Sequence, residues 1–425
     1  MKVYQNPPRS MWAEITQRPL MDFSEIESRV SAVMGAVRKE GDEALRRFTK
    51  QFDKVELDTL EVSKEEIEAA SVSPELAAAI HHALENIRRF HEHQLEEPKR
   101  IQVREGVTCW RKSVGIEKVG LYIPGGTAPL ISTVLMLAIP ASIAGCKEII
   151  LCSPPTHHGS IHEGILYAAK VAGVHRVFKV GGAQAVAAMG YGTDTIPKVD
   201  KIFGPGNQYV TTAKQLLSKE GTAIDMPAGP SELAVVADEQ AEPDFVAADL
   251  LSQAEHGVDS QVLLITTSSD MLERVQKAVR EQVATLPRRE IAEKALQNSR
   301  AVLFDEFNTA LDFTNAYAAE HLILAVADVE RIAEKITQAG SVFMGNHTPE
   351  SAGDYASGTN HTLPTNGFAR AYSGVSVDSF VRKITFQQLT PEGLETIGDA
   401  VEEIARAESL EAHRRAISIR RERVM

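Results

Sequence analysis

The sequence is poor in cysteine and has no excess of positive charge. Three cysteines (Cys109, Cys146 and Cys152) among 425 residues cannot build a disulfide framework, and they are typical of a reducing compartment. Lys and Arg number 45 against 58 Asp and Glu, so the chain lacks the basic excess that binding to nucleic-acid phosphates requires. The opening residues, MKVYQNPPRSMWAEI, contain no apolar segment typical of a secretory signal. We therefore expect a cytoplasmic globular protein of two or three folding units with no nucleic-acid partner.

One uncharged stretch has the length of a membrane span. Residues 127–146 read TAPLISTVLMLAIPASIAGC, and an apolar run of about 20 residues can cross a bilayer. Serine, threonine, proline and glycine interrupt the run, however, and the strand-like segment EIILC follows at 148–152. We therefore expect a buried helix that covers a parallel sheet, and no membrane partner.

Short β-branched segments alternate with helical patterns from residue 119 onward, whereas the first hundred residues predict helices. Ser24–Glu27 and Ser63–Glu66 both have the spacing of a capping box. Alternating strands and helices in two successive blocks predict an α/β fold with two doubly wound parallel sheets. The predicted strands are 119–123, 148–152, 176–180, 201–204 and 222–225 in the first block, and 232–237, 261–266, 301–304, 321–326 and 341–344 in the second.

Three glycine-rich loops follow predicted strands of the first block. They are YIPGGTAP at 122–129, VGGAQA at 180–185 and FGPGNQYV at 203–210. Ligands of open α/β sheets bind at the carboxyl ends of the strands, where such loops let the backbone approach. Tyr209 stands where a dinucleotide fingerprint has its third glycine, so the third loop alone is equally typical of a tight turn. Three loops in succession favour a nucleotide-sized ligand.

Residues suited to metal binding or acid–base chemistry occur in the second block. Gln253 and His256 lie three apart near a predicted helix end, so their side chains point the same way, and imidazole nitrogen suits zinc. Glu320 and His321 are adjacent at the start of a predicted strand. General acid–base chemistry can use such a pair only where the backbone leaves strand geometry, since neighbours on a strand face opposite ways. The alternative interpretation of Gln253 and His256 is a polar helix end. The alternative interpretation of Glu320 and His321 is an exposed charged pair.

Further candidates lie toward the end of the chain. Asp354 and His361 belong to a Gly/Ser/Thr/Asn-rich loop at 351–367 and are a potential ligand and contact pair. Glu408 and His413 are five apart in a helical tail, a spacing that by itself indicates surface residues.

Taken together, these segments resemble the histidinol dehydrogenase family over nearly the whole chain. The resemblance implies a zinc-dependent, NAD-linked enzyme that ends histidine biosynthesis by oxidising L-histidinol through L-histidinal to L-histidine, with reduction of two NAD. The matching segments are GLYIPGGTAPLISTVLMLAIPASIAGC (120–146), VGGAQA (180–185), VDKIFGPGN (199–207), IDMPAGPSE (224–232), LLSQAEHGVDSQV (250–262), EHLIL (320–324), SAGDYASGTNH (351–361) and E-x-x-x-x-H (408–413).

The resemblance also implies roles for individual residues. His321 matches the general base, and Glu320 matches the residue that activates water for hydration of the aldehyde. His413 would reach the active site from the other subunit of a homodimer. The implied zinc ligands, for one ion per subunit, are Gln253, His256, Asp354 and His413. The implied substrate contacts are Ser231, Gln253, His256, His321, Asp354, His361, Glu408 and His413. The implied NAD contacts are Tyr122, Gln184 and Asn207.

The implied architecture has two Rossmann-like units, a small helical N-terminal arm and a C-terminal dimerisation tail. The arm, residues 1–20, would contact the dimer partner. The first unit would combine 21–121 with 233–375 and carry the zinc and acid–base residues. The second unit, 122–232, would bind NAD, and 376–425 would form the helical tail.

Other functions stay open on the sequence. A related zinc- and NAD-dependent enzyme would oxidise another small alcohol to its acid. The ligand set alone also suits a zinc hydrolase, and the loops alone suit a nucleotide-binding protein without activity. A thiohemiacetal on cysteine is a rival route for the aldehyde step. None of the three cysteines is near Glu320 in sequence, so we expect them to be buried apolar residues.

Overall fold

The computed structural model describes residues 1–18, 23–125, 129–227 and 229–424. The strands are β1 Lys2–Gln5, β2 Ile101–Arg104, β3 Val107–Gly115, β4 Lys118–Tyr122, β5 Glu148–Ser153, β6 Arg176–Lys179, β7 Lys201–Phe203, β8 Ala223–Ile224, β9 Glu232–Ala237, β10 Gln261–Thr266, β11 Arg300–Leu303, β12 His321–Ala325, β13 Ser341–Met344 and β14 Val381–Leu389.

Helices connect and cover these strands. They are α1 Arg9–Ile15, α2 Phe23–Glu40, α3 Asp42–Phe48, α4 Lys64–Ala69, α5 Pro74–Glu92, α6 Ile131–Ile143, α7 Glu163–Ala172, α8 Gly182–Tyr191, α9 Gln208–Lys219, α10 Pro243–Ala254, α11 Ser269–Val283, α12 Arg289–Gln297, α13 Phe307–Tyr317, α14 Val329–Ala333, α15 Glu350–Tyr355, α16 Pro391–Ala407 and α17 Glu411–Val424.

The smaller of two parallel sheets has the strand order β6-β5-β4-β7-β8. Each of the five strands predicted for the first block is present, and the order reverses between β4 and β7. This arrangement confirms a doubly wound unit. At such a reversal the connections leave in opposite directions, so a crevice opens at the carboxyl ends of β4 and β7.

The larger parallel sheet has the order β1-β11-β10-β9-β12-β13, with its reversal between β9 and β12. The central strands β9, β10 and β12 are buried along their whole length. Burial on both faces explains the unbroken apolar composition of these three strands. All five strands predicted for the second block are confirmed. Strand β1 was not predicted. Residues 2–5 pair in parallel with β11, so the start of the predicted helical arm is an edge strand instead.

A third, antiparallel sheet joins distant parts of the chain in the order β14-β3-β2. The predicted helical tail at 376–425 does not begin with a helix, because β14 pairs with β3 along its full nine residues. Helices α16 and α17 follow and pack on each other. The partner strand lies far upstream in sequence, and local periodicity does not indicate such a pairing.

Among the helices of the first hundred residues, α2 to α5 pack on the helices that cover the smaller sheet, whereas α1 packs in the core of the larger sheet. Helix α2 contacts α8 and α9, and Val30, Met34 and Val37 of α2 share an apolar cluster with α8. The expected first unit groups residues 21–121 with the larger sheet, and these contacts contradict that grouping for α2 to α5. An amphipathic pattern shows that a helix has an apolar face, but not which sheet covers it. The capping box at Ser63–Glu66 is confirmed, whereas the one predicted at Ser24–Glu27 lies outside the described side chains.

The long uncharged stretch contains helix α6, which packs on β4 and β5 beneath α5. Thirteen residues are too few to cross a bilayer, and residues 133–141 are all buried. Among the described helices none has both the length and the apolar character of a membrane span. The prediction of a buried helix is confirmed.

Phe380 joins the segment before β14 to the smaller sheet, and this contact can be tested. Its fully buried ring stacks on Phe203 with a centroid separation of 3.9 Å. Phe380→Ala leaves a cavity and should lower the free energy of unfolding by about 3–5 kcal/mol. The control is Phe245→Ala, at a ring that is 44% exposed, with an expected change within about 0.5 kcal/mol. Denaturant unfolding measures both, and equal losses would contradict the packing described.

Candidate active site

The carboxyl edge of the smaller sheet faces the amino edge of the larger sheet across a cleft of about 440 Å³. Loops after β4 and β7 form one wall, and residues just before β9 and β12 form the other. The cleft therefore lies between two reversals of strand order. Its lining includes Pro124, Gly206, Asn207, Ser231, His256, Glu320 and His361.

Glu320 and His321 come together at the amino end of β12. The backbone bends at Glu320, immediately before the strand begins, so both side chains enter the same buried space. Glu320 Oε2 lies 3.7 Å from His321 Nδ1. The backbone of Glu232 contacts both: its N–H donates to the Glu320 carboxylate at 2.9 Å, and its carbonyl oxygen lies 3.4 Å from His321 Nδ1. The departure from strand geometry that acid–base use of the pair requires is thus present.

Burial and charge shift the pKa values of this pair. Loss of hydration on burial raises the pKa of Glu320 to about 8. Burial alone would lower the pKa of His321, but the carboxylates of Glu350, Glu320 and Asp354 around the ring raise it. Glu320 therefore exchanges its proton close to neutral pH, which is where general acid–base chemistry operates.

Glu350 is a site residue that the sequence analysis missed. It is the first residue of α15, it is buried, and its Oε1 lies 3.4 Å from His321 Nδ1. Neither carboxylate oxygen has a hydrogen-bond partner, and burial raises the pKa of the side chain. A glutamate after a proline at a helix start is normally an exposed first-turn residue, so the local pattern held no signal for this position.

A cation can bind between the histidine and two of the carboxylates. His321, Glu350 and Asp354 offer ligand atoms that all lie within 4.8 Å of one another. The side-chain amide of Gln253 is fully buried, and neither its oxygen nor its nitrogen has a partner. Its helix, α10, contacts α15, which carries Asp354. Buried polar atoms without partners fit a site that a bound ligand completes.

His256 and His361 lie in the cleft wall close to this group. Burial lowers the pKa of His256, while the negative charge of Asp354 acts against that effect. His361 Nε2 lies 3.1 Å from Thr133 Oγ1, and its Nδ1 lies 3.0 Å from the backbone oxygen of Asp354. These contacts tie α15, the loop after it and α6 together around the cleft. The liganding and substrate-binding roles of these residues stay predictions.

Two predicted site residues lie elsewhere on the same chain. Glu408 follows the end of α16 and His413 lies in the first turn of α17, and both are exposed. Within the described residues neither lines the cleft. In one copy of the chain the charge of Asp354 acts on His256, and Gln253 lies on a helix that contacts the helix of Asp354, whereas the fourth predicted zinc ligand lies elsewhere.

The three predicted NAD contacts line one cavity of about 660 Å³ on the smaller sheet. Tyr122 ends β4, and its hydroxyl accepts a hydrogen bond from the N–H of Gly182 at 3.1 Å. Gln184 lies in the first turn of α8. Asn207 caps α9, because its side-chain oxygen accepts from the N–H groups of Tyr209 and Val210, which have no acceptor within the helix. Asn207 also lines the cleft, so the two spaces meet at this residue.

A buried ion pair holds the loop that carries Asn207. Lys214 pairs with Asp225, Lys214 Nζ donates to the Gly204 carbonyl at 2.9 Å, and Asp225 accepts from the Gly204 N–H at 2.8 Å. Gly204 has φ of +125°, and a Cβ there would lie 2.1 Å from the Tyr122 carbonyl oxygen. Only glycine fits, so this glycine sets the close approach of β4 and β7.

The cysteines have no place in this site. Cys146 and Cys152 are buried, and burial raises the pKa of the Cys146 thiol to about 11. Cys109 is half-buried in β3, and in the described chain none of the three lines the cleft. A thiol that stays protonated is a poor nucleophile, which disfavours a thiohemiacetal route.

Asp53, on the wall of the 660 Å³ cavity, provides a test of these electrostatics. Burial raises its pKa to about 6, and its Oδ2 has no partner. Because the folded pKa exceeds the unfolded value of about 3.9, wild-type stability falls as pH rises through this window. After allowance for partial exposure, Asp53→Asn should stabilise the protein by about 1–2 kcal/mol at pH 8 and roughly half as much at pH 5. Unfolding at both pH values measures this, and a pH-independent difference would contradict it.

Comparisons with known proteins agree with the resemblance seen in the sequence. A family model described as histidinol dehydrogenase matches residues 16–421. The chain is 58% identical to histidinol dehydrogenase of Bacteroides thetaiotaomicron over 99% of each chain, and 50% identical to that of Escherichia coli over 96% of this chain and 94% of the relative. It also matches the crystal structure of histidinol dehydrogenase from Elizabethkingia anophelis, with a TM-score of 0.97 and 54% identity over 99% and 98% of the two chains. This chain therefore belongs to the histidinol dehydrogenase family.

Proposed function

We propose that this protein oxidises L-histidinol through L-histidinal to L-histidine, with reduction of two NAD, as the last step of L-histidine biosynthesis in the cytoplasm. The observation that carries the proposal is the placement of Glu320 and His321 beside a cleft that meets the second cavity at Asn207. An alcohol in the cleft and a nicotinamide in the cavity can then approach each other. The free cysteines fit the reducing conditions of that compartment.

The chemistry consists of two oxidations separated by a hydration. The carbinol carbon first gives a hydride to NAD while its hydroxyl gives a proton to a base, for which His321 is placed. Water then adds to the aldehyde, and Glu320, with its pKa near 8, takes up a proton from that water. During this hydration His321 gives its first proton to the carbonyl oxygen of the aldehyde and becomes neutral again. The resulting diol then gives a second hydride to a second NAD and a second proton to His321. Each oxidation thus needs one NAD and one base, and the hydration needs one base. His321 is the base for the oxidations, and Glu320 is the base for the hydration.

We assign NAD to the cavity lined by Tyr122, Gln184 and Asn207. Its volume of about 660 Å³ is in the usual range for small-molecule sites. The cavity lies at the carboxyl ends of β4 and β7, where doubly wound sheets bind dinucleotides. The hydrogen bond from Gly182 to Tyr122 fixes the start of α8 against β4.

We assign one Zn²⁺ per subunit to Gln253, His256, Asp354 and the partner subunit's His413. The unpartnered amide of Gln253 and the buried carboxylate of Asp354 support this, because two oxygen and two nitrogen donors suit an open zinc site. When bound, the ion supplies a template that orients the amine and imidazole of the substrate. Its positive charge beside Asp354 would also lower the pKa of His321, which favours the neutral base.

A homodimer with shared active sites completes the proposal. Ser231 and His361 reach the cleft from this chain, whereas Glu408 and His413 are exposed, so we infer that they contact the substrate bound to the other subunit. The antiparallel sheet exposes Ile101, Val103 and Phe386 beside a groove of about 780 Å³. An exposed apolar patch of this kind fits burial against a second copy. The arm at 1–20 and the tail after 376 are the segments we expect at this interface.

The proposed reaction is tested by counting NADH formed per L-histidinol consumed. We expect two NADH per substrate, and loss of turnover after treatment with a chelator that is reversed by Zn²⁺. A count near one, or no turnover, would contradict the assignment. Turnover of a different small alcohol only would indicate a related dehydrogenase, and hydrolysis without NADH would indicate a zinc hydrolase.

The hydration role of Glu320 is tested by Glu320→Gln. The amide cannot accept the proton from water, so we expect oxidation of L-histidinal to fall by about 10²–10⁴-fold and oxidation of L-histidinol to fall much less. Glu334→Gln, at an exposed carboxylate after α14, is the control and should leave both rates unchanged. Equal losses of the two rates in Glu320→Gln would exclude a separate hydration role.

The shared zinc site is tested with mixed dimers of Glu320→Gln and His413→Asn chains. With oxidation of L-histidinal as the readout, each homodimer should be almost inactive, whereas each mixed dimer contains one site with both residues intact. Random mixing should therefore restore about one quarter of wild-type activity. If mixing restores none, the assignment of His413 to the partner's site is wrong.

A further inference from the structure

Arg18 makes the most extensive buried polar contacts of the N-terminal arm, at the side of the larger sheet that carries the acid–base pair. Its guanidinium forms two parallel hydrogen bonds to Glu232, with Nε–Oε2 at 2.7 Å and Nη2–Oε1 at 2.9 Å. The two side chains are 9% and 1% exposed. A bidentate, desolvated pair of this kind is rigid as well as strong.

The same guanidinium also holds the end of helix α13. Nη2 donates to the carbonyl of Tyr317 at 2.7 Å, and the guanidinium carbon lies 3.8 Å from the centroid of the Tyr317 ring. Tyr317 is fully buried, and its hydroxyl donates to Gln261 at 2.9 Å. The last carbonyl groups of a helix have no donor within the helix, and Arg18 supplies the missing donor for the carbonyl of Tyr317.

These two contacts fix the two segments that position the acid–base pair. Glu232 starts β9, and its backbone contacts both Glu320 and His321. The chain leaves α13 at Tyr317, turns at Ala318 with φ of 54°, and reaches Glu320 two residues later. Arg18 touches neither member of the pair, yet it holds the residues on both sides of it.

We propose that Arg18 is a positioning residue: through Glu232 and Tyr317 it sets the placement of the Glu320 carboxylate and the His321 ring. The inference rests on the function proposed above for this pair. Placement matters because a shift of about 1 Å in a reacting group costs about 10²-fold in rate. A lysine cannot replace Arg18, because the planar guanidinium has several donors in a fixed arrangement, whereas a lysine has one ammonium. That ammonium cannot contact both carboxylate oxygens of Glu232 and the carbonyl of Tyr317 in the same way.

Charge adds a second reason for this arginine. Glu232 is buried near Glu320, and further carboxylates lie around His321. Without a cation beside it, the Glu232 carboxylate would be an unpaired buried charge, which is strongly destabilising. The Glu232 carboxylate would also repel the carboxylate of Glu320, which already accepts a hydrogen bond from the backbone N–H of Glu232.

The decisive comparison is between Arg18→Met and Arg9→Met. Arg9 belongs to the same arm, but it pairs with Asp312 at the surface and its side chain is 73% exposed. We expect Arg18→Met to lower kcat for L-histidinol oxidation by about 10²-fold, with KM for NAD within about twofold of wild type because the cavity for NAD lies on the other sheet. The kcat of Arg18→Lys should lie between those of Arg18→Met and wild type, and the kcat of Arg9→Met should match that of wild type. Wild-type kcat in Arg18→Met, or a rise in KM alone, would overturn the inference.

The double variant Arg18→Met, Glu232→Met separates positioning from a purely structural role and covers the case in which Arg18→Met does not fold. Removing both charges leaves no unpaired buried carboxylate, so we expect the thermal midpoint to recover toward that of wild type. We expect kcat to stay at least about tenfold low, since the two segments are no longer joined. Recovery of both properties would overturn the positioning role. Absence of L-histidinol oxidation by wild type would instead refute the proposed function itself.

Discussion

Burial of several carboxylates around one imidazole is the constraint on which the rest of this site depends. Glu320, Glu350 and Asp354 all approach His321 in a space from which water is largely excluded. A buried carboxylate is stable only when it is hydrogen-bonded, paired with a cation or protonated. The site uses all three: a backbone N–H for Glu320, raised pKa values for Glu320 and Glu350, and donor atoms that a metal ion can join.

Two doubly wound sheets create this space by meeting at opposite edges. The smaller sheet presents the carboxyl ends of its strands, the usual place for a nucleotide, whereas the larger sheet presents the amino ends of β9 and β12. On one side Lys214 and Asp225 fix the glycine loop, and on the other Arg18 fixes Glu232. In both places a buried ion pair holds backbone that borders the cleft.

Much of the fold can be predicted from the sequence because the central strands of parallel sheets are buried on both faces. Their unbroken apolar segments and the glycine loops after them mark the strands of both units. The edge strands β6, β8 and β13 agree with the sequence pattern, whereas β1, β2 and β14 lack that signal and do not. The helices at 23–92 were recognised as amphipathic but placed with the wrong sheet. Which surface covers an apolar face depends on contacts between distant segments.

The sequence by itself determined the family, the predicted site residues and the two-unit α/β plan, since each rests on residue types in local order. Only the tertiary structure decided how Glu320 and His321 face one space, that Glu350 joins them, and that Arg18 stands behind Glu232. It also decided that Glu408 and His413 lie outside the cleft of their own chain. The physical reason is that desolvation and charge pairing depend on distances in space, and residues separated by hundreds of positions set those distances here.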